Sequence, residues 1–197
     1  MKIEFKIIAD LLPKNSRVLD IGCGDGILMK LLSDEKNIDV RGLELNEENV
    51  ETCISKGLSV IEGDAETELG QFPDKSFDYV ILSQTLQAFY NPVYVLEHLL
   101  RIGKSSIVSI PNFGYWKVRT NLLLFGKMPE TKSFPYKWYN TPNLHMCTIE
   151  DFYQLCNEKK INMEKIIGVN NDKTSSINNK NIKFKNFFSE IGIFLIS

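Results

Sequence analysis

Val18-Leu19-Asp20-Ile21-Gly22-Cys23-Gly24-Asp25-Gly26 decides the fold. An apolar run closed by an acid, then glycines at every second position, reads as a strand, a tight turn and the start of a helix. Only glycine lets the backbone turn sharply with positive φ and lets a ligand lie almost against the main chain, so the turn marks a cradle. A dinucleotide fingerprint needs a small residue three positions after the second glycine. Ile27 stands there and the last glycine is Gly26, which disfavours NAD. A carboxylate just before the turn repels phosphates and suits a ligand with a cationic end. S-adenosylmethionine meets that description.

Further along, Val40-Arg41-Gly42-Leu43-Glu44 carries a second apolar run to an acid, about where the second strand of a βαβ unit presents a carboxylate to ribose hydroxyls. Glu44 is the expected ribose ligand, with Leu45 beside it. A third run, Leu58 to Ile61, leads to Asp64-Ala65, whose carboxylate can accept from an adenine amino group or merely cap the next turn. A fourth, Phe77 to Leu82, ends at Ser83-Gln84-Thr85, where methyl-adjacent groups or ordinary turn residues are both expected. The candidate cofactor set is Asp20, Gly22, Gly24, Gly26, Glu44, Leu45, Asp64, Ala65 and Ser83.

The order LDIGCGDG, LELN, EGDAE resembles the class I S-adenosylmethionine-dependent methyltransferases. Three longer segments, FPDKSFDYVILSQTLQAFYNP (72–92), SIPNFGYWKVR (109–119) and MPETKSFPYKWYNTPNLHMCT (128–148), resemble the bacterial MetW family more specifically. The resemblance implies an α/β, Rossmann-like class I methyltransferase fold: a mostly parallel seven-stranded sheet flanked by helices. It also implies S-adenosylmethionine or S-adenosylhomocysteine as ligand, a place in methionine biosynthesis, and association with a homoserine O-acyltransferase of the MetX type as partner or regulator. The alternative function is methyl transfer to a small molecule. The Asp/Asn-Pro-Pro-aromatic block of enzymes that methylate nucleobase amines is absent.

Bulk properties set limits. The 197 residues suit a single domain, expected over 1–197, and a net charge of −2 provides no basic field for nucleic acid. No apolar run approaches the roughly 20 residues of a membrane span, and Met1 to Lys6 interleaves charge with apolar residues, so a cytoplasmic protein is expected. Cys23, Cys53, Cys147 and Cys156 form no C-x-x-C pair, and neither a metal site nor a disulfide framework is expected. Cys23 stands at a helix N-terminus, where a thiolate is favoured, although small residues are simply what that turn tolerates.

Ile3 to Leu12 carries a helical stripe, Asn46 and Asn91-Pro92 start helices, and Thr148 to Asp151 starts another. Residues 170–185, rich in Asn, Lys and Ser, read as a mobile surface connection. Between the fifth strand and Thr148 lies an insertion at about 112–147, expected to cap the acceptor side of the site. Trp116, Trp138 and Tyr139 read either as its core anchors or, with Arg119 and Lys137, as an exposed protein-binding patch. His145 is the catalytic candidate, a general base or a structural hydrogen bond closing the insertion.

Overall fold

The strand that carries Asp20 is β1 (Arg17–Ile21), buried at four of its five positions and set inside an eight-stranded sheet in the computed structural model, which describes residues 2–131 and 133–197. β2 (Asp39–Glu44) and β3 (Ser59–Glu62) extend the sheet to one side, while β4 (Phe77–Ser83) and β5 (Gly103–Pro111) extend it to the other, all paired in parallel. Beyond β5 the pairing becomes antiparallel through β8 (Ile191–Ile196), β6 (Met163–Asn170) and β7 (Lys173–Ile177). The order is β3-β2-β1-β4-β5-β8-β6-β7.

Alternation along the strands divides the core into two layers. Leu19, Ile21, Val80, Leu82, Val108 and Phe194 face α5 (Pro92–Ile102) and α7 (Ile149–Glu158). Val18, Ile81, Ile107 and Ile193 face α1 (Ile3–Leu11) and α2 (Ile27–Lys36). The expected starts are present: Asn46 Oδ1 accepts from Asn49 N–H at the head of α3 (Glu47–Ser55), Asn91 Oδ1 accepts from Tyr94 N–H with Pro92 in the first turn, and Thr148 and Asp151 form a reciprocal capping box.

The sheet has one strand more than the seven expected. Residues 170–185, read as a surface connection, contain β7 and the start of α8 (Ile182–Phe188). β7 is an edge strand in which only Ile177 is buried, so its side chains carry no apolar pattern and its order comes from backbone pairing with β6.

The long segment after β5 contains α6 (Trp116–Phe125), of which only Val118 is buried, and then irregular chain. Asn112 fastens its start: Nδ2 donates to Asn186 O and Ser189 O, both at 2.7 Å, and Oδ1 accepts from Gly114 and Ile149 N–H. Its end is held by the Gln87 carbonyl, which accepts from Leu144 N–H at 2.8 Å and His145 N–H at 3.0 Å.

Candidate functional site

Because β2 and β3 lie on one side of β1 and β4 on the other, the loops leaving β1 and β4 part at the carboxyl edge and open a crevice. Gly22 turns out of β1 at φ +66°, and a Cβ there would come within 2.7 Å of Thr85 Cγ2. Thr85 cannot swing away freely, since its hydroxyl donates to Ser83 O at 2.9 Å. Gly24, at φ +57°, opens onto space: a Cβ there would meet nothing within 4 Å. Gly26, at φ +75°, backs onto Leu58 and Cys53 and serves the packing of α2 against its neighbours. Gly22→Ala should therefore destabilise by about 2 kcal/mol and Gly24→Ala by about 1, both from a left-handed backbone and the former also from the Thr85 contact. Urea unfolding of the two variants checks the ranking, and equal midpoints would contradict it.

Glu44 closes the turn. Its buried carboxylate accepts from Gly24 N–H at 2.7 Å through Oε2 and from Asn46 N–H at 2.9 Å through Oε1, so the glycine turn and the head of α3 share one anchor. Each oxygen keeps acceptor capacity for a ligand hydroxyl.

Asp20 has no such partners. It is 1% exposed, and its Oδ1 is buried without a hydrogen bond. Burial, with Glu44 adding like charge, pushes its carboxyl up to about 8. A cation beside that oxygen would reverse the shift. Burial also keeps Cys23 a thiol, followed by the negative field of Asp20, which overturns the thiolate favoured by a helix N-terminus alone.

Two cavities meet at the glycine turn, since Gly22 borders both. The larger, of about 490 Å³, runs between Leu45, Asp64 and Ala65 on one wall and Thr85, Tyr90 and Pro142 on the other. Its charged lining is Glu44, Asp64 and Glu66 with no Lys or Arg, an environment hostile to phosphate. Asp64 Oδ1 caps the helical turn α4 (Ala65–Glu68) by accepting from Glu66 N–H at 2.9 Å. Leu45 is 68% exposed and leaves an apolar face for a flat ring. The smaller cavity, of about 160 Å³, holds Asp20, Gly24 and Ser83.

Glu4 is the residue missed from the sequence. It is 1% exposed on α1 and binds the ends of β4 and β5: Ser83 Oγ donates to its Oε1 at 3.1 Å, Ser109 Oγ donates to the same oxygen, and Gln84 Nε2 donates to Oε2. A signal was available, because Glu4 shares its helical face with Ile7 and Ile8, and an acid on an apolar stripe requires buried donors.

The insertion reaches the site from its rim. Pro142 borders the larger cavity, and the His145 ring sits 3.4 Å from Tyr90 O, tying the insertion to the loop after β4. Trp138 and Tyr139 are exposed, so neither anchors the core; Tyr115, Val118 and Phe134 do, with Trp116 packed at their edge. Among the described residues no group of three or more His, Cys, Asp or Glu is arranged to hold a metal ion.

A family model described as "Methionine biosynthesis protein MetW" matches residues 2–196. The bifunctional methionine biosynthesis protein MetXA/MetW of Rhodopirellula baltica is 34% identical over 170 residues, covering 82% of this chain and 27% of that protein. The chain thus spans about a quarter of the length of the curated relative it matches. Among solved structures, an S-adenosylmethionine-dependent methyltransferase of Thermotoga maritima superposes with TM-score 0.69 at 19% identity, covering 98% of this chain and 86% of that one. One from Mesorhizobium loti gives 0.67 at 13% identity over 98% and 97%. The cyclase SpnF gives 0.63 at 17% identity over 84% and 60%, so this architecture also serves a protein named for other chemistry.

Proposed function

The chain belongs to the MetW family of methionine biosynthesis proteins, and from that premise we propose that it is an S-adenosylmethionine-binding partner that regulates a homoserine O-acyltransferase. The observation that carries the ligand is the orphaned Asp20 oxygen beside an open glycine turn, at the junction with an acid-walled cavity. In this reading Glu44 holds the ribose hydroxyls, and Leu45, Asp64 and Ala65 hold the adenine. Asp20, Gly22 and Gly24 hold the cationic methionine end, with Ser83 at the edge of that cavity. The absence of basic residues from the larger cavity's lining matches a ligand without phosphate.

The partner is supported by the relative from Rhodopirellula baltica, whose name joins MetXA to MetW in one chain. Regulation requires the ligand to favour one state of the complex over another. Pro142 provides the physical link, since the insertion that carries it extends from the cavity wall to the outer surface.

A second reading, methyl transfer to a small acceptor, has its own observation. A third cavity, of about 330 Å³, adjoins the smaller one through Lys2 and Gln84 and could admit an acceptor. Bound S-adenosylmethionine would supply an electrophilic methyl group there, and the protein's part would be alignment.

One experiment separates the two. The purified protein and acyltransferase are mixed with and without S-adenosylmethionine, following complex formation and acyl transfer. A complex whose acyl-transfer rate responds to the ligand is expected. No complex and no rate change would remove the regulatory reading, and conversion of the ligand to S-adenosylhomocysteine in a cell extract would favour the enzyme.

A further inference from the structure

We infer that the outer surface of the insertion, from Leu122 to Met146, is the surface on which the acyltransferase docks; the inference rests on the partnership proposed above. Leu122, Leu123, Leu124 and Phe125 make the last turn of α6 apolar on every side, and none is buried, with Leu123 83% and Leu124 71% exposed. A helix end of that kind is built to be covered. Three residues on, Met128 joins Tyr136, Trp138 and Met146 around a shallow groove floored by Phe113 and Phe134. Trp138 is 73% exposed at its rim, its ring edge-on to Tyr139. Large aromatic and methionine side chains on a pre-shaped surface are the usual anchors of protein interfaces.

The surface is held in shape before any partner arrives. Thr131 and Phe134 exchange backbone hydrogen bonds at 2.9 and 3.2 Å, Phe134 is buried against the Tyr115 and Val118 cluster, and Pro129, Pro135 and Pro142 restrict the chain between them.

Charge selects the occupant. Residues 122–146 carry three basic side chains and one acid, with Lys117 and Arg119 just before them, in a chain whose net charge is −2. Lys137 lies over the Tyr139 ring and Lys117 over Trp116, which places cations among the aromatics. The complementary partner has an apolar patch with an acidic rim. Leu123, Leu124 and Met128 add exposed aliphatic area, which suits the apolar face of a protein partner. The Rhodopirellula baltica relative is named for MetXA and MetW together, and joining two such units in one chain raises the effective concentration of one for the other.

The test uses surface-coupled acyltransferase and four soluble proteins: the wild type, Leu124→Asp, Trp138→Ala and, as a distant exposed control on α3, Ile54→Asp. The expected result is wild-type affinity for Ile54→Asp and at least a tenfold loss for the two insertion variants, with unchanged melting temperature and unchanged binding of S-adenosylmethionine. Wild-type affinity in both insertion variants would overturn the docking surface while leaving the partnership intact. No binding by the wild type would remove the partnership and the surface with it. A self-associated wild type that Leu124→Asp dissociates, with acyltransferase binding unaltered, would reassign the surface to a second copy of this chain.

Discussion

Asp20→Asn is expected to weaken S-adenosylmethionine binding about 10- to 100-fold at pH 8 and to abolish its dependence on pH. The wild-type carboxyl is pushed up to about 8 by burial and, secondarily, by Glu44, so below that pH it is mostly protonated. A cationic ligand pairs with the carboxylate, and binding must then release the proton. Wild-type affinity should rise about tenfold per pH unit between pH 6 and 8 and level off above. Asparagine keeps the shape, loses the charge and has no proton to release. Its loss of a charge-assisted contact, about 1–3 kcal/mol, gives the stated fold-change. The unliganded protein should show the opposite slope. Its folded state holds the Asp20 proton more tightly than the unfolded chain, whose value is about 3.9, so stability falls as pH rises from about 4 toward 8. Asparagine should flatten that slope as well. Thermal melts across this range, with and without ligand, check both signs, and a wild-type affinity that does not change between pH 6 and 8 would contradict the role of Asp20.

Glu4→Ala should cost about 3 kcal/mol and lower the melting temperature by about 6–12 °C. Three donors converge on this carboxyl, and Ser109, the most deeply placed of them, is fully buried. Removing the acceptor strands them at the ends of β4 and β5, beside the smaller cavity. The apolar side of α1, through Ile7, Ile8 and Ala9, with Leu12 just after it, should keep the helix docked, so the loss is of stability and not of fold. Glu4→Gln preserves one acceptor oxygen for the serine hydroxyls and should lose about half as much. Differential scanning calorimetry of both variants measures the series. A shift below 1 °C for Glu4→Ala would mean that the cluster contributes nothing to holding α1.

The parts of the molecule that sequence made legible are those where one physical requirement acts alone. An acid closing an apolar strand before three spaced glycines has few solutions, and Asp20, Gly22 and Gly24 lie together at the carboxyl edge of β1. Asn46, Asn91 and Thr148 cap helices because their side chains satisfy the first free amides locally. Gly26 shows the limit of the pattern. It continues the glycine spacing but packs against Leu58 and Cys53, a contact that depends on where β3 and α3 come to lie. The acid of Glu4 on an apolar stripe signalled buried donors, but their identity was hidden for a related reason, because they are 79 to 105 residues away. β7 was hidden because an edge strand can be ordered by backbone bonds alone, and Asn170 to Lys185 gives no apolar rhythm to read. In the insertion, aromatic residues fit a core and an interface equally well by type. Burial separates them, with Tyr115 and Phe134 inside and Trp138 and Tyr139 outside.

The most direct measurement is isothermal titration calorimetry of the folded protein at pH 8 with S-adenosylmethionine and, separately, with S-adenosylhomocysteine. Saturable binding of one ligand per chain is predicted, with the heat lost in a protein carrying Asp20→Asn and Glu44→Ala together. Folded wild-type protein that gives no heat with either compound would contradict the assignment of the acid-walled cavity and the glycine turn to an adenosyl ligand.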